Sequence, residues 1–402
     1  MKTPIYLDHH ATTPLDPRVL DAMLPYLRED FGNASSRNHL FGKRAGQAVE
    51  LARERISQAI GAEDPSEVVF TSGATESNNL ALKGLAHIFK GRGNHIITTS
   101  IEHRSVLDTC QHLQENGFQV TYLKVNRDGL INLEELKAAI TDQTVLISVM
   151  HANNEIGVLQ SIAEIGQIAK KRGVFFHCDA VQSVGKVYLH VESMGIDLLS
   201  ISAHKVYGPK GIGALYVRKK NPRVRLEPLI HGGGQERSLR SGTLNVAGIV
   251  GFGKALEIAQ SEMSEESIRL FTLREQLRKK ILDSLDEVHV NGNMEKRLPG
   301  NLNLSFSYVE GEALLFELQK DLAVSSGSAC TEASLEPSYV LRALGTREDL
   351  VHTSLRFGVG RFNTTEEIDH AADVVIRSVK KLRSMSSLYK AIQANLNRGQ
   401  SR

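Results

Sequence analysis

The 402-residue sequence contains no tryptophan and only three cysteines, Cys110, Cys178 and Cys330. None of the three lies in a C-x-x-C pair, so the sequence indicates neither a disulfide framework nor a zinc ribbon. So low a cysteine content is typical of a reducing compartment. The N-terminus lacks a charged stretch followed by an apolar core, and no run of 18 apolar residues occurs. These absences predict a cytoplasmic protein with no signal peptide and no membrane span.

An excess of charge of one sign is also lacking, since 48 basic and 46 acidic residues leave a net charge of +2. This near-balance argues against direct binding of nucleic acid, which usually requires a strongly basic surface. Hydrophobic residues make up 41% and charged residues 23% of the chain, which is ordinary for a globular protein. At roughly 100–200 residues per domain, the length predicts two or three domains.

Short apolar, β-branched runs alternate with amphipathic helical stretches through the first two-thirds of the chain. The runs lie at 68–70, 95–97, 120–123, 145–148, 174–176, 198–201 and 213–217. Such alternation predicts an α/β fold with a mostly parallel sheet covered on both faces. Beyond about residue 255 we expect a long charged helix over roughly 261–284, two further strands and a closing helix. The predicted domains are a large one over 21–255 and a smaller α+β one over 256–402, with residues 1–20 packed on the smaller one.

The strongest local signal is a lysine that follows a predicted strand, in the sequence SISAHKVYGPKG at 200–211. A primary amine such as that of Lys205 condenses with the aldehyde of pyridoxal 5′-phosphate (PLP) when its pKa is lowered. Ser202 and His204 flank the lysine and are suited to binding a phosphate. Taken alone, this segment also fits a solvated surface lysine.

A second segment, VFFHCDAVQ at 174–182, places Asp179 at the end of an apolar strand. PLP chemistry needs a carboxylate against the pyridine nitrogen, because a protonated ring is the better electron sink. The run His177-Cys178-Asp179 also suggests a metal site. Side chains alternate along a strand, however, so Cys178 points away from the other two and is interpreted as core.

A third segment, FTSGATES at 70–77, turns from a strand through a glycine into a helix. The first turn of this helix contains Ala74 and Thr75. Exposed backbone N–H groups and the helix dipole make such a helix start suitable for a phosphate. An ordinary helix N-cap explains the segment equally well.

Together these segments resemble the class V aminotransferase family, and most closely its cysteine desulfurases of the IscS/NifS type. The resemblance covers nearly the whole chain. Its motifs are YLD at 6–8, ATTP at 11–14, TSGATES at 71–77, EH at 102–103, NNEIG at 153–157, Asp179 with Gln182-Ser183, SAHKVYGPKG at 202–211, RSGT at 240–243, SSGSAC at 325–330 and LRF at 355–357. It implies the PLP-dependent transferase fold of type I, with PLP as cofactor and L-cysteine as substrate.

The resemblance also implies a role for each residue at these motifs. Lys205 holds PLP and moves a proton between the substrate Cα and the cofactor. Asp179 pairs with the pyridinium, Gln182 hydrogen-bonds the phenolic oxygen, and His103 stacks on the ring as an acid or base. The phosphate is bound by Ala74, Thr75, Ser202 and His204, while Asn154 contacts cofactor and substrate, and Asn154 with Arg356 holds the substrate carboxylate.

A glycine-rich segment, HGGG at 231–234, is similar to the oxyanion segment of some esterases. The chain has no G-x-S-x-G nucleophile motif, so an esterase is not predicted. In the desulfurase family the same segment leads to Thr243, which binds the phosphate of the neighbouring subunit. The resemblance therefore implies an obligate homodimer with shared active sites.

Cys330 lies among small residues, a context that predicts an accessible, mobile loop in the smaller domain. By the resemblance, its thiolate takes the sulfur of L-cysteine as a persulfide and releases alanine. An iron–sulfur scaffold protein and other sulfur acceptors, including a tRNA-thiolation protein, are the implied partners. A transient role of Cys330 as an iron–sulfur ligand shared with the scaffold is implied as well.

Two alternatives remain open at this stage. One is a selenocysteine lyase or another PLP transferase, such as a transaminase, on the same fold. The other is an assembly scaffold with weak activity. His9 and His10 differ from what family members often carry, and we assign them no role. The tail after about Ser387 does not match the acceptor-docking tail of well-known bacterial members.

Overall fold

The computed structural model describes residues 3–326, 337–387 and 389–390. The strands are β1 (Ile5–Tyr6), β2 (Val68–Thr71), β3 (His95–Thr99), β4 (Gln119–Leu123), β5 (Thr144–Ser148), β6 (Phe175–Asp179), β7 (Leu198–Ser202), β8 (Gly213–Val217), β9 (Val288–Val290), β10 (Asn301–Phe306), β11 (Leu322–Ala323) and β12 (Ser354–Gly358). The α-helices are α1 (Pro17–Arg28), α2 (Leu40–Ile60), α3 (Ala74–Phe89), α4 (Arg104–Glu115), α5 (Leu133–Ala139), α6 (Ile162–Arg172), α7 (Val246–Ser284), α8 (Gly311–Leu318), α9 (Tyr339–Ala343), α10 (Glu348–Val351) and α11 (Thr365–Met385).

The central feature is a seven-stranded sheet with the strand order β2-β8-β7-β6-β5-β3-β4. All of its strands run parallel except β8, which pairs antiparallel with β2 and β7. Six of the seven strands are buried along their whole length, and the edge strand β4 is partly exposed. The prediction of a mostly parallel sheet is confirmed, because strands buried on both faces read as continuous apolar runs.

Helices cover both faces of this sheet, and neighbouring residues in each strand supply opposite faces. Phe70 and Ile147 pack in one core with residues of α2, α6 and α7. Val69 and Leu146 pack in another core with residues of α3 and α4. This division follows from the two-residue period of a strand. Of the helices described, none combines the length and the apolar character that crossing a membrane would require.

Helix α7 begins at Val246, well before the start near Ser261 that the charge pattern predicted. Its first half is buried almost all round and packs against α1 and α2 in the core on one face of the central sheet, so it lacks the amphipathic pattern that marks a surface helix. Its second half contributes Leu273, Leu277 and Ile281 to a separate core with β10, β12 and α11. One helix therefore runs through two hydrophobic cores.

The second core surrounds a three-stranded antiparallel sheet with the order β12-β10-β9. The N-terminal strand β1 pairs in parallel with β11 and contributes Ile5 to this core. The chain then crosses to the central sheet, where Thr13 hydrogen-bonds the carbonyl of His204 through its backbone N–H at 3.0 Å and its hydroxyl at 2.9 Å. The predicted division at residues 20 and 255 stays a prediction.

Candidate active site

A cavity of about 550 Å³ opens beside the carboxyl ends of strands β6 and β7 and the start of α3. Its walls are formed by Ala11, Thr12, Ser72, Gly73, Ala74, Thr75, Glu76, His103, Met150, Asn154, Asp179, Val181, Gln182, Ser202, His204, Lys205, Lys210 and Gly211. Ligands of α/β proteins bind at this edge of the sheet, because the loops after parallel strands meet there. The cavity brings together most of the site residues expected from the sequence.

Lys205 lies in a short 3₁₀ turn, Ala203–Lys205, directly after β7. Its Nζ donates to the backbone carbonyls of His10 and Ala11, each at 2.6 Å. The turn is thereby attached to the N-terminal segment, which reaches the cavity from the second core. The amine is thus held at the cavity by backbone oxygens of a segment remote in sequence.

Asp179 ends strand β6 and is 4% exposed. One carboxylate oxygen accepts from the side-chain amide of Asn78 at 2.8 Å, and the other accepts from the backbone N–H of Val181 at 3.0 Å. The amide of Asn78 also donates to the Ser105 hydroxyl at 2.9 Å, and this hydroxyl contacts Nδ1 of His103 at 2.8 Å. A hydrogen-bonded chain therefore joins the acid to the histidine.

Sequence reasoning missed Asn78 and Ser105. The available signal was a polar residue one turn after Ala74 on the face of α3 that is otherwise apolar. Both side chains are buried, and a buried polar side chain requires hydrogen-bond partners. Which partners they take depends on how α3 packs against β6 and α4, and this is not readable from one segment.

His103 is the N-cap residue of α4, and its Nδ1 accepts from the backbone N–H of Ser105 at 3.1 Å. Nδ1 is therefore an acceptor, which places the proton of the neutral ring on Nε2. Burial lowers the pKa of His103 below its usual value, and the charge of Asp179 opposes part of this effect. The ring is neutral near pH 7 and can accept a proton.

The part of the cavity wall formed by the start of α3 is suited to an anion. Helix α3 begins at Ala74 after Gly73, whose φ of +155° and open surroundings bring the backbone close to the cavity without a side chain. No side chain caps this helix start, so its first N–H groups face the cavity. Ser202 is 2% exposed, and Nδ1 of His204 lies 3.1 Å from the Thr12 hydroxyl.

Arg356 in β12 is fully buried beside the cavity. Its Nη2 donates to the Asp8 carboxylate at 2.7 Å, and its Nη1 donates to the backbone carbonyl of Asn154 at 3.0 Å. Among the described residues, Nε of Arg356 and Oδ1 of Asn154 are buried without a hydrogen-bond partner. Such atoms are costly unless a ligand satisfies them, so this corner is suited to a small polar ligand.

Among the described residues, two predicted site residues, Arg356 and Thr243, do not line the cavity, and Arg356 lies beside it. Thr243 is exposed and does not contribute to the cavity walls, so its predicted role toward a neighbouring subunit stays a prediction. Cys330 lies outside the described residues. The chain before it is tied to the site, because the Ser325 hydroxyl donates to Asp8 at 3.0 Å and the Ser325 carbonyl accepts from the Arg356 backbone N–H at 2.8 Å.

The two cysteines within the described part of the chain are buried core residues. Burial raises the pKa of Cys110 to about 12 and raises that of Cys178 well above its usual value. Both are therefore thiols near pH 7 and poor nucleophiles. His177, next to Cys178, hydrogen-bonds the hydroxyls of Ser148 at 2.8 Å and Ser200 at 3.0 Å.

The sheet order, the lysine turn after β7 and the acid at the end of β6 define the architecture of a PLP-dependent enzyme of fold type I. The family model for Aminotransferase class-V matches residues 5–370. A cysteine desulfurase IscS of Anaeromyxobacter dehalogenans is 58% identical over 400 residues, covering 100% of this chain and 98% of that protein. The chain belongs to the class V aminotransferase family and, within it, to the cysteine desulfurases.

Solved structures agree with this assignment. A NifS-like protein superposes with a TM-score of 0.87 at 39% identity, covering 94% of this chain and 100% of its own. A protein described as SspA in complex with cysteine superposes with a TM-score of 0.79 at 40% identity, covering 89% of this chain and 99% of its own.

The groups around the cavity fit PLP. A negatively charged phosphate matches the uncapped start of α3, a pyridine nitrogen matches the buried carboxylate of Asp179, and an aldehyde matches the amine of Lys205. The three groups line one cavity, as a single small molecule carrying all three functions requires.

Proposed function

We propose that this protein is a cysteine desulfurase that converts L-cysteine to L-alanine and keeps the sulfur as a persulfide on Cys330. The observation that carries the proposal is the convergence of Lys205, Asp179 and His103 on one cavity, with Arg356 buried beside it. In the overall reaction a cysteine thiol of the enzyme and L-cysteine give an enzyme persulfide and L-alanine, so atoms and electrons balance without an external oxidant.

The proposal assigns a separate task to Asp179, Lys205 and His103. Bound PLP supplies an aldehyde that bonds amines and a ring that withdraws electrons from the substrate Cα. Asp179 would pair with the protonated ring nitrogen, and two N–H donors fix the orientation of its carboxylate. Lys205 moves a proton at the substrate Cα, and neutral His103 takes or returns a proton.

The remaining contacts orient PLP and the substrate L-cysteine. The proposed phosphate ligands are Ala74, Thr75, Ser202 and His204. Burial lowers the pKa of His204 to about 4, so this side chain acts as a neutral hydrogen-bond partner. Asn154 contacts cofactor and substrate, and the Arg356 guanidinium binds the substrate carboxylate through its planar fork.

The thiolate of Cys330 attacks the sulfur of the substrate, forming an S–S bond as the C–S bond breaks, and the substrate carbon keeps the bonding electrons and is protonated to alanine. This role is supported by the sequence resemblance. It is also supported by the position of Ser325, which joins the segment before Cys330 to Arg356. Cys110 and Cys178 are excluded from this role by their burial and raised pKa values.

We further propose a cytoplasmic homodimer in which Thr243 of each subunit contacts the phosphate of the other. An iron–sulfur scaffold protein and other sulfur acceptors receive the persulfide sulfur, and Cys330 is a transient iron–sulfur ligand with the scaffold. The solvent exposure of Thr243, away from the cavity of its own chain, supports the shared site.

Mass spectrometry after one turnover with L-cysteine tests the proposal. The Cys330 peptide is expected to gain the mass of one sulfur, with one alanine formed per site. Cys330→Ser is expected to keep the yellow colour of bound PLP and to accumulate no persulfide, because a hydroxyl is a poor nucleophile toward sulfur.

Cys110→Ser and Cys178→Ser are matched controls that should retain sulfur transfer. A persulfide on Cys110 or Cys178, or a wild-type protein that cannot bind PLP, would contradict the proposal.

Lys205→Ala should lose the covalent PLP linkage and nearly all turnover. Little turnover with L-cysteine but rapid turnover with L-selenocysteine would instead favour the selenocysteine lyase.

A further inference from the structure

The side chain of Gln182 is held by two contacts with a single residue, His10. The Gln182 amide nitrogen donates to the backbone carbonyl of His10 at 2.9 Å. The Gln182 amide oxygen lies 3.1 Å from Nδ1 of the His10 ring. Both side chains are buried, with exposed fractions of 4% and 3%. The sequence alone assigned no role to His10.

These contacts determine the protonation of the His10 ring. A backbone carbonyl only accepts, so the Gln182 atom facing it must be the NH₂ group, and the other amide atom must be the oxygen. That oxygen also only accepts, so Nδ1 of His10 must carry a proton. Burial lowers the pKa of His10 well below its usual value, with further lowering by Lys186 and Arg356, so the ring is neutral. The proton on Nδ1 therefore leaves Nε2 as a bare acceptor.

The far side of the His10 ring is consistent with this tautomer. Nε2 of His10 is buried without a hydrogen-bond partner among the described residues. Together with Lys186, His10 lines a second, much smaller cavity of about 20 Å³. Burial lowers the pKa of Lys186 to about 7, and the protonated fraction of this amine disfavours a charged His10 ring. The titratable and charged groups that affect His10 are Lys186, Arg356 and Lys205.

The orientation of the Gln182 amide has a consequence in the large cavity. An NH₂ group has two hydrogens, and the His10 carbonyl takes only one of them. The same carbonyl also accepts from Nζ of Lys205 at 2.6 Å, so His10 joins Gln182 and the lysine in one network. If the amide were reversed, its oxygen would face the His10 carbonyl oxygen and the two acceptors would repel.

We propose that His10 is a positioning residue that fixes the Gln182 amide so that its N–H points at the phenolic oxygen of PLP. The donor on Nδ1 holds the amide oxygen, and the backbone carbonyl holds the amide nitrogen. This inference rests on the proposed function, because it concerns PLP in the large cavity. It predicts that the hydrogen bond from His10 changes the electronic state of the cofactor while His10 itself makes no contact with the substrate.

The test is a pH titration of the visible absorbance band of the PLP-loaded protein without substrate. A hydrogen bond to the phenolic oxygen favours the deprotonated chromophore, which has the greater negative charge on that oxygen. In His10→Leu the Gln182 amide is no longer held, and its hydrogen bond to the phenolic oxygen is lost. The pH midpoint of the absorbance change should then rise by about 0.5–1 pH unit, which corresponds to the usual net free energy of one hydrogen bond. In His10→Asn the side-chain NH₂ can replace Nδ1–H, so the midpoint should stay near the wild-type value.

Two controls separate this role from a structural one. His9→Asn changes the neighbouring histidine, whose Nδ1 contacts the Gly358 carbonyl at 2.8 Å, and should leave the midpoint unchanged. In a Gln182→Ala background, His10→Leu should shift the midpoint no further, because His10 acts through Gln182. If His10→Leu does not bind PLP, His10→Ala takes its place.

Equal shifts in His10→Asn and His10→Leu would overturn the inference, as would no shift in either. A further shift on the Gln182→Ala background would overturn it too. These outcomes are distinct from failure of the proposed function, which would appear as a wild-type protein without a PLP band.

Discussion

Replacing Arg356 with lysine tests the proposed carboxylate site most directly. The guanidinium is fully buried, and two of its nitrogens are bound to the Asp8 carboxylate and the Asn154 carbonyl. Lysine keeps the charge but has one ammonium group, which cannot reproduce the planar fork. Arg356→Lys should therefore lose at least one hydrogen bond to a charged group.

The expected size of the effect follows from that loss. A hydrogen bond to a charged group is worth about 1.5–3 kcal/mol, which corresponds to about a 10- to 150-fold increase in KM for L-cysteine. Binding of PLP should change little, because the Asp179 end and the phosphate end of the cavity are untouched. Steady-state alanine production gives KM and kcat, and the PLP absorbance reports occupancy.

Arg383→Lys is the matched control. Arg383 is also a buried arginine of the C-terminal region, but it binds the Ser307 carbonyl at 3.1 Å and the Asp286 carboxylate at 2.9 Å, and it does not line the large cavity. The Arg383→Lys variant should have a lower unfolding temperature and an unchanged KM for L-cysteine. An unchanged KM in folded, PLP-loaded Arg356→Lys would refute the role of Arg356 in binding the substrate carboxylate.

Three other measurements test further parts of the site. Burial raises the pKa of Glu102 to about 8, so the folded protein keeps a proton that the unfolded chain releases, and stability should fall as pH rises from about 4.5 to 8. Glu102→Gln should remove this contribution, which is on the order of 5 kcal/mol over that pH range, as measured by denaturant unfolding at several pH values; equal pH dependence in both proteins would contradict it. Asn78→Ala removes one of the two donors to Asp179 and should weaken PLP binding by about tenfold in an absorbance titration, and unchanged affinity would count against the network. If Thr243 serves the partner's phosphate, mixing the Thr243→Ala and Lys205→Ala proteins should restore one wild-type site per mixed dimer, whereas no recovery of PLP affinity would contradict a shared site.

The sequence alone was sufficient for the parts of this protein that depend on local pattern. Buried parallel strands read as continuous apolar runs, so the central sheet was predictable. Lys205 and Asp179 were predictable because each directly follows or ends such a strand, and the carboxyl ends of parallel strands meet at one edge. The start of α7 was not, because a helix segment buried on all sides has no amphipathic period.

Only the tertiary structure determines which distant residues form hydrogen bonds and ion pairs with the site residues. Asn78 reaches Asp179 across 101 positions of sequence, His10 reaches Gln182 across 172, and Arg356 reaches Asp8 across 348. No short motif contains both members of such a pair. Each contact also depends on burial, since the energy of a hydrogen bond or charge rises as water is removed. The local pattern therefore determined which candidate residues reach the cavity, and only the packing of distant segments determined their hydrogen-bond partners and orientation.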